Sequence, residues 1–162
     1  MAPKSSKDSK NHGPDIVNKK ACRDYEIVET CEAGLALLGS EVKSLRAGNA
    51  DLKGSYARID DNQCWLVGAT IAAYEQAGIL NHDPKRKRKL LLHKAQIRKI
   101  STKLELRGFT LIPLRLYFSS RGLAKIELAL ARGKRQYDKR KSITETQQKK
   151  DIQKDIKKFR KR

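Results

Sequence analysis

The chain has 162 residues, and 34% of them are charged. This length allows one compact core with tails, because a second full domain would leave too little apolar material for either. Lys and Arg number 37 against 18 Asp and Glu, and the net charge of +19 predicts a polyanionic partner and salt-dependent binding. The chain has no run of 18 apolar residues and no apolar segment after its first charges, so we expect a cytoplasmic protein without membrane contact.

The positive charge is concentrated towards the C-terminal end. Residues 132–162 hold 14 basic and four acidic side chains, which is about half of the net charge in a fifth of the chain. Such dense like charge with few large apolar groups does not pack into a core. We therefore predict three parts: a disordered N-terminal arm at 1–17, a folded domain at 18–131 and a basic tail at 132–162.

Cysteine and histidine residues are few and scattered. The three cysteines, Cys22, Cys31 and Cys64, are separated by nine and 33 residues, and neither spacing matches a zinc-ligand pattern. We interpret them as reduced, buried or half-buried thiols of a cytosolic protein. We expect neither a metal nor a cofactor.

The first predicted elements are a strand and a helix. Residues alternate in character from Tyr25 to Cys31, which indicates a strand, and Gly34 is interpreted as a bend or bulge. Ser40 has the side chain of a good N-cap, and Gly48 is placed to end the helix that follows.

A hairpin and a basic run come next. The segments 55–60 and 64–70 are rich in β-branched and aromatic residues, and the three residues 61–63 between them predict a hairpin. The run 85–89 has five consecutive cations. It could contact phosphates, form a solvated loop or act as a localisation-type patch.

The remaining elements are one helix and two strands. An apolar face with helical spacing is formed by Ile97, Ile100 and Leu104. The segments 109–118 and 123–131 predict two strands, and Pro113 within the first requires an edge or bulge position because proline cannot donate to a sheet. In the second strand one face is formed by Ala124, Ile126, Leu128 and Leu130.

These elements predict a mainly β fold with short helices. About five or six antiparallel strands in a chain of this size indicate a small closed or partly closed barrel of the OB type, and such barrels commonly bind oligonucleotides. The fold alone does not assign a function.

Six segments between Asn18 and Arg140, all in order along the chain, resemble the small protein B (SsrA-binding protein) family. They are NKKA (18–21), EAGL (32–35), GSEVKSLR (39–46), RKLLLHK (88–94), PLRLY (113–117) and GKRQYDKR (133–140). Six segments that match a family in the same order identify that family far more specifically than one such segment does. The resemblance implies an OB-like antiparallel barrel that binds the tRNA-like domain of transfer-messenger RNA, with a flexible basic C-terminal tail that probes the empty mRNA channel of the ribosome.

The resemblance also implies the residues that bind RNA, namely Asn18, Lys19, Lys20, Glu32, Leu91 and Lys125. Chemistry alone leaves alternatives open. The first three could donate to sugar and phosphate groups or form a solvated chain end. Glu32 could accept from RNA or could pair with Lys19, Lys20 or Lys125. Leu91 could be core, since two of Leu90, Leu91 and Leu92 must be buried in a strand or helix entry.

The tail is implied to bind the ribosome through Gly133, Lys134, Arg135, Tyr137, Asp138, Lys139, Arg140, Ile156 and Lys157. A capping-box pattern at 142–145 favours a helix after it, and mutual repulsion makes that helix marginal in water. We expect the helix to form where ribosomal RNA neutralises the charges. Relatives often carry His at the position of Tyr137, and a tyrosine ring there keeps the ability to stack.

The implied partners are transfer-messenger RNA, the stalled 70S ribosome through its small-subunit RNA and, indirectly, elongation factor Tu. The protein is expected to be a monomer and not an enzyme. One alternative is a nuclease with metal ligands drawn from Asp51, Asp60, Asp61 and Asp83, although aspartates between strands are usually turn residues. The other is a general single-strand binder or ribosome-assembly protein on the same barrel, which predicts stacking aromatics and weak RNA preference.

Overall fold

The computed structural model describes residues 13–106 and 108–134. Within them, the strands are β1 (Ile16–Val17), β2 (Tyr25–Leu35), β3 (Ala50–Asp51), β4 (Tyr56–Asp60), β5 (Gln63–Val67), β6 (Thr70–Ile71), β7 (Arg88–Leu91), β8 (Phe109–Phe118) and β9 (Ala124–Gly133). The helices are α1 (Ala21–Asp24), α2 (Gly39–Arg46) and α3 (Lys94–Leu104), with a 3-10 helix at Glu75–Leu80.

Six strands form a closed antiparallel barrel. Their order is β8-β4-β5-β7-β2-β9, and the pairing of β9 with β8 completes the ring. The short strand β1 pairs with β8, and β3 and β6 form a separate two-stranded ribbon. The predicted mainly β, OB-like barrel with short helices is therefore confirmed.

The described chain extends beyond both predicted domain boundaries. Ile16 is buried in β1, which lies within the predicted N-terminal arm, and β9 continues to Gly133. The rest of the predicted arm and most of the predicted tail lie outside the described residues. In the described part of the chain, no helix has both the length and the apolar character needed to cross a membrane.

The barrel interior holds the main core. The alternation predicted for β9 is confirmed, since Ile126 and Leu128 are fully buried inside the barrel. A second, smaller cluster lies where α1 packs on β8 and β9, and it contains Ala21, Ile112, Ala129 and Ala131. Strand β9 is therefore buried on both faces over part of its length.

The prediction of a bulge at Gly34 was wrong. Gly34 lies inside β2, and the bulge of that strand falls earlier, between Ile27 and Glu29. A Cβ atom at Gly34 would lie 3.2 Å from the Cβ of Leu91. The missing side chain therefore allows the close approach of β7 to β2.

The helix α2 begins earlier than predicted. Leu38 is the N-cap residue, and its backbone N–H donates to Oε2 of Glu41 at 2.7 Å. Ser40 is not the cap, because its hydroxyl instead bonds Nδ1 of the buried His82 at 3.0 Å. The predicted end of the helix at Gly48 is confirmed by a φ of 80°, a left-handed conformation that favours glycine.

Two turn predictions are also resolved. The hairpin between β4 and β5 is present, with Asp60 paired to Gln63 and a tight two-residue turn at Asp61 and Asn62. Both turn residues have positive φ, as the favoured hairpin turns require. The bulge predicted for Pro113 is confirmed by a shift of register directly after it.

A buried ion-pair cluster joins α2 to β7. Glu41 and Arg88 are both fully buried, and Nε of Arg88 donates to Oε1 of Glu41 at 2.8 Å. Nε of Arg86 donates to the same oxygen at 2.8 Å. Burial alone would raise the pKa of Glu41, but the hydrogen bonds from Arg86 and the Leu38 N–H, with the charge of Arg88, hold it below its usual value. The carboxylate is therefore ionised at neutral pH.

Candidate nucleic-acid interface

Three predicted RNA-binding residues meet on the outer face of the barrel. Gly34 of β2 pairs with Lys125 of β9 on one side and with Leu91 of β7 on the other. Glu32 lies two residues before Gly34, and its Oε1 accepts from Nζ of Lys125 at 2.8 Å. Glu32, Leu91 and Lys125 thus form one surface around Gly34, which we term the Gly34 surface.

Leu91 is the apolar part of the Gly34 surface. Its side chain is 54% exposed, whereas that of Leu90 is 2% exposed, because successive residues of a strand point to opposite faces. Leu92 packs partly against the core. The prediction that two of these three leucines contribute to the core is confirmed.

Glu32 is held by two donors. Besides Lys125, the hydroxyl of Tyr117 donates to Oε2 of Glu32. The hydrogen bonds from Lys125 and Tyr117 lower the pKa of Glu32, and donation to Glu32 raises the pKa of Tyr117 to about 12. The pairing of Glu32 with Lys125, one of the alternatives read from the sequence, is the one present.

An arginine extends the polar surface beyond Tyr117. The guanidinium carbon of Arg115 lies 4.4 Å from the centre of the Tyr117 ring, a cation–π contact. Its Nε lies 3.4 Å from Glu127, and Nη1 lies 3.4 Å from Asp15. Sequence reasoning missed Arg115 and Tyr117 as surface residues. The register of the β8–β9 hairpin, which pairs Tyr117 with Lys125, is the signal that would have found them.

The Asn18 side chain, predicted to bind RNA, is hydrogen-bonded within the protein. Its Nδ2 donates to the backbone carbonyls of Leu52 at 3.2 Å and Pro113 at 3.1 Å. Both amide hydrogens are therefore engaged inside the protein, where they fix the start of the domain against β8. Lys19 and Lys20, which follow Asn18, are exposed.

The chain leaves the barrel beside α1. Gly133 ends β9, and the next backbone N–H, that of Lys134, donates to the carbonyl of Asp24 at 3.1 Å. Nζ of Lys134 donates to the carbonyl of Cys22, also at 3.1 Å. The other predicted tail residues lie outside the described residues, namely Arg135, Tyr137, Asp138, Lys139, Arg140, Ile156 and Lys157.

The aspartates considered as nuclease ligands serve turns and a surface ion pair. Oδ1 of Asp51 accepts from the N–H of Lys53, and Oδ1 of Asp83 accepts from that of Lys85. Asp60 pairs with Arg58. Within residues 13–106 and 108–134, no group of three or more Asp, Glu, His or Cys side chains is placed to hold a metal ion.

The cysteines match their interpretation only in part. Cys64 is buried and Cys31 is half-buried, but Cys22 is exposed on α1, contrary to expectation. Burial raises the pKa of Cys31, and it raises the pKa of Cys64 to about 12. Both thiols are therefore protonated and unreactive at neutral pH.

Comparison with known proteins decides the family. The family model described as SmpB protein matches residues 16–158. The chain belongs to the SmpB protein family. A curated SsrA-binding protein from Thermus thermophilus is 54% identical over 128 residues, which cover 79% of this chain and 89% of the relative. Another SsrA-binding protein, from Symbiobacterium thermophilum, is 50% identical over 139 residues, which cover 86% of this chain and 88% of the relative.

A solved structure supports the same assignment. It is described as "tmRNA-SmpB: a journey to the center of the bacterial ribosome", and it matches with a TM-score of 0.66 at 51% identity. The match covers 81% of this chain and 95% of the solved chain. The resemblance to the SmpB family drawn from six short segments is therefore confirmed.

Proposed function

We infer that this chain is an RNA-binding adaptor of trans-translation. It binds the tRNA-like domain of transfer-messenger RNA and helps to deliver the alanine-charged RNA to stalled ribosomes. Membership of the SmpB family supports this function, and the relatives' name, SsrA-binding protein, states the RNA that they bind. The structural observation that carries it is the Gly34 surface, on which an exposed leucine lies beside an ion pair.

The Gly34 surface has the chemistry for a folded RNA. Nζ of Lys125 can donate to a phosphate, and the exposed methyl groups of Leu91 can exclude water from a sugar or an unstacked base. Glu32 is ionised, and its carboxylate can accept from a base amino group or a 2′-hydroxyl. Its repulsion from phosphates is offset by the cation of Lys125, with which it is paired.

The basic tail is proposed to act on the ribosome. Its residues Gly133 and Lys134 lie beside α1, at the end of β9 opposite to Lys125. A helix of about 18 residues would reach about 27 Å at 1.5 Å per residue, which suits a probe of the mRNA channel. The partner there is small-subunit RNA, whose phosphates neutralise the cations of the tail. Elongation factor Tu takes part indirectly, through the charged transfer-messenger RNA.

Preference among RNAs tests this function against a general single-strand binder. The affinity of the purified full chain is measured for transfer-messenger RNA and for an ordinary tRNA at one near-physiological salt concentration. An adaptor binds the first more tightly by tenfold or more, about 1.4 kcal/mol or above. Equal affinities would support the general binder and contradict the proposal.

Truncation separates the barrel from the tail. A chain ending before Ser142 is expected to keep its affinity for transfer-messenger RNA, because the Gly34 surface is intact. It is expected to lose peptide tagging in a reconstituted translation reaction with stalled ribosomes. A parallel loss of both activities would contradict the division of labour between barrel and tail.

A further inference from the structure

The five cations of the basic run 85–89 differ in burial and fall into two groups. Lys85, Lys87 and Lys89 are exposed, whereas Arg86 is partly buried and Arg88 is fully buried. Both arginines donate to Glu41 inside the protein. The three lysines are therefore the cations of this run that a partner can reach, and we term them the lysine row.

The backbone under the lysine row is fixed by internal hydrogen bonds. The guanidinium of Arg88 donates to the carbonyls of Pro84 at 2.9 Å and Ala69 at 2.7 Å. The N–H of Lys85 donates to Oδ1 of Asp83 at 2.9 Å. A fixed backbone lowers the ordering cost of binding, so only the lysine side chains lose freedom when a ligand is bound.

The charges around the lysine row favour an anion. In the described part of the chain, no ion pair involves Lys85, Lys87 or Lys89. The carboxylate nearest along the chain is Asp83, which is engaged in the turn before Lys85. On the outer face of the neighbouring strands, Lys89 lies opposite Trp65, which in turn lies opposite Arg58.

The lysine row leads into the Gly34 surface. Lys89 and Leu91 are alternate residues of β7 and are both exposed, while Arg88 and Leu90, which alternate with them, are buried. Alternate residues of a strand are about 6.8 Å apart, which is close to the separation of neighbouring phosphates along an RNA strand. This spacing holds for Lys89 and Leu91, whereas Lys85 and Lys87 lie in the turn and loop that lead into β7, so an RNA that covers Leu91 reaches Lys89 first.

We propose that Lys85, Lys87 and Lys89 bind backbone phosphates of the transfer-messenger RNA that occupies the Gly34 surface. This inference rests on the proposed function. It assigns to the lysine row the phosphate contacts that fix the position of the RNA, while Leu91 and Glu32 contact its sugars and bases. Glu41 acts as a positioning residue, because it draws Arg86 and Arg88 inward and leaves the lysines outside.

The test is the salt dependence of binding. The affinity for the tRNA-like domain of transfer-messenger RNA is measured between about 50 and 200 mM salt, a range over which phosphate binding changes affinity strongly. In the Lys85→Ala/Lys87→Ala variant, the slope of log affinity against log salt is expected to fall by about 2, roughly one for each phosphate that no longer has a lysine partner.

A matched variant removes the same charge elsewhere. Lys43 is exposed on α2 and Lys99 is exposed on α3, so Lys43→Ala/Lys99→Ala has the same net charge as the test variant. Its salt slope is expected to equal that of the wild type. Circular dichroism melting of both variants checks that the fold is retained, which is expected because none of these lysines is buried.

The outcomes separate this inference from the proposed function. If the wild type prefers transfer-messenger RNA and only the lysine-row variant loses slope, the proposal is supported. Equal changes in the two variants, or no change in either, would overturn the lysine row while leaving the proposed function intact. A wild type without RNA preference would instead contradict the proposed function itself.

Discussion

Glu41 and Glu32 each accept hydrogen bonds from two side chains, and the two glutamates differ chiefly in burial. Glu41 lies between Arg86 and Arg88 in the interior, and its side chain is fully buried. Glu32 lies between Lys125 and Tyr117 on the outer face of the barrel, where its side chain is 51% exposed. In both cases the hydrogen-bond donors lower the pKa of the carboxyl group.

The difference in burial determines what each cluster can do. Water cannot replace a partner of Glu41, so loss of one partner leaves an uncompensated buried charge. The contacts of Glu32 are screened by solvent and add little to stability, but they can be exchanged for contacts with RNA. Similar side chains thus hold the fold at one site, and at the other they form an exposed surface that we propose binds RNA.

Neutralising the buried carboxylate gives the largest expected effect. Glu41→Gln keeps the shape of the side chain but removes the charge that faces Arg86 and Arg88. The free energy of unfolding is expected to fall by about 3–5 kcal/mol, the usual cost of breaking a buried ion pair. Urea denaturation measures it, with Glu29→Gln as the control because Glu29 pairs with Lys99 and Lys103 on the surface. A change in Glu41→Gln no larger than that of the control would contradict the role of the buried cluster.

Acid should destabilise the protein through the same group. The pKa of Glu41 is lower in the folded state than in the unfolded state, so its contribution is present above the ordinary carboxyl pKa of about 4.3 and is lost as pH falls below it. Glu29, whose pKa is lowered to about 2 by hydrogen bonds from Lys103 and Lys99, contributes with the same sign.

Unfolding measured from pH 7 to pH 2 should therefore show a continuous loss of stability below about pH 4. The Glu41→Gln variant should lose less over the same interval, because it lacks one of the carboxyl groups whose pKa is lowered by folding. Identical pH profiles for the variant and the wild type would show that Glu41 does not carry the acid sensitivity.

Truncating the apolar part of the Gly34 surface should affect binding but not folding. Leu91→Ala is expected to weaken binding of transfer-messenger RNA about tenfold, near 1.4 kcal/mol, with an unchanged melting temperature. Leu123→Ala is the matched control, because Leu123 is 59% exposed against 54% for Leu91 and lies in the loop before β9. Equal effects of the two substitutions would place the RNA elsewhere.

The smallest effect is expected at the exposed carboxylate. Glu32→Gln keeps an acceptor for Tyr117 but loses the charge that faces Lys125. The urea midpoint is expected to stay unchanged, and the affinity for transfer-messenger RNA is expected to fall about threefold, roughly 0.7 kcal/mol. A stability loss comparable to that of Glu41→Gln would remove the contrast between the two sites.

Local patterns in the sequence predicted much of the fold. Strict alternation identified the buried face of β9, the residues around Asp61 and Asn62 identified the hairpin, and Pro113 identified the bulge of β8. Each signal arises from residues adjacent in the chain. The family resemblance also indicated the residues that meet at the Gly34 surface, of which Glu32 and Leu91 lie within the six segments and Lys125 does not.

The remaining features depend on contacts between distant residues. Five consecutive cations do not reveal which of them point inward, because the acceptor of Arg88 is Glu41, 47 residues earlier. Likewise, Gly34 has the composition of a bend, and only the approach of Leu91 shows that it serves close packing. Ser40 has the chemistry of a helix cap but bonds His82, which lies 42 residues away.

Photo-crosslinking tests most directly whether the Gly34 surface holds the RNA. A photoreactive phenylalanine derivative is introduced at Leu91 in one variant and at Leu123 in another, and each is irradiated with transfer-messenger RNA at near-physiological salt. A covalent adduct from position 91 and none from position 123 is the predicted result. An adduct from position 123 alone, with position 91 unreactive while binding persists, would contradict the account.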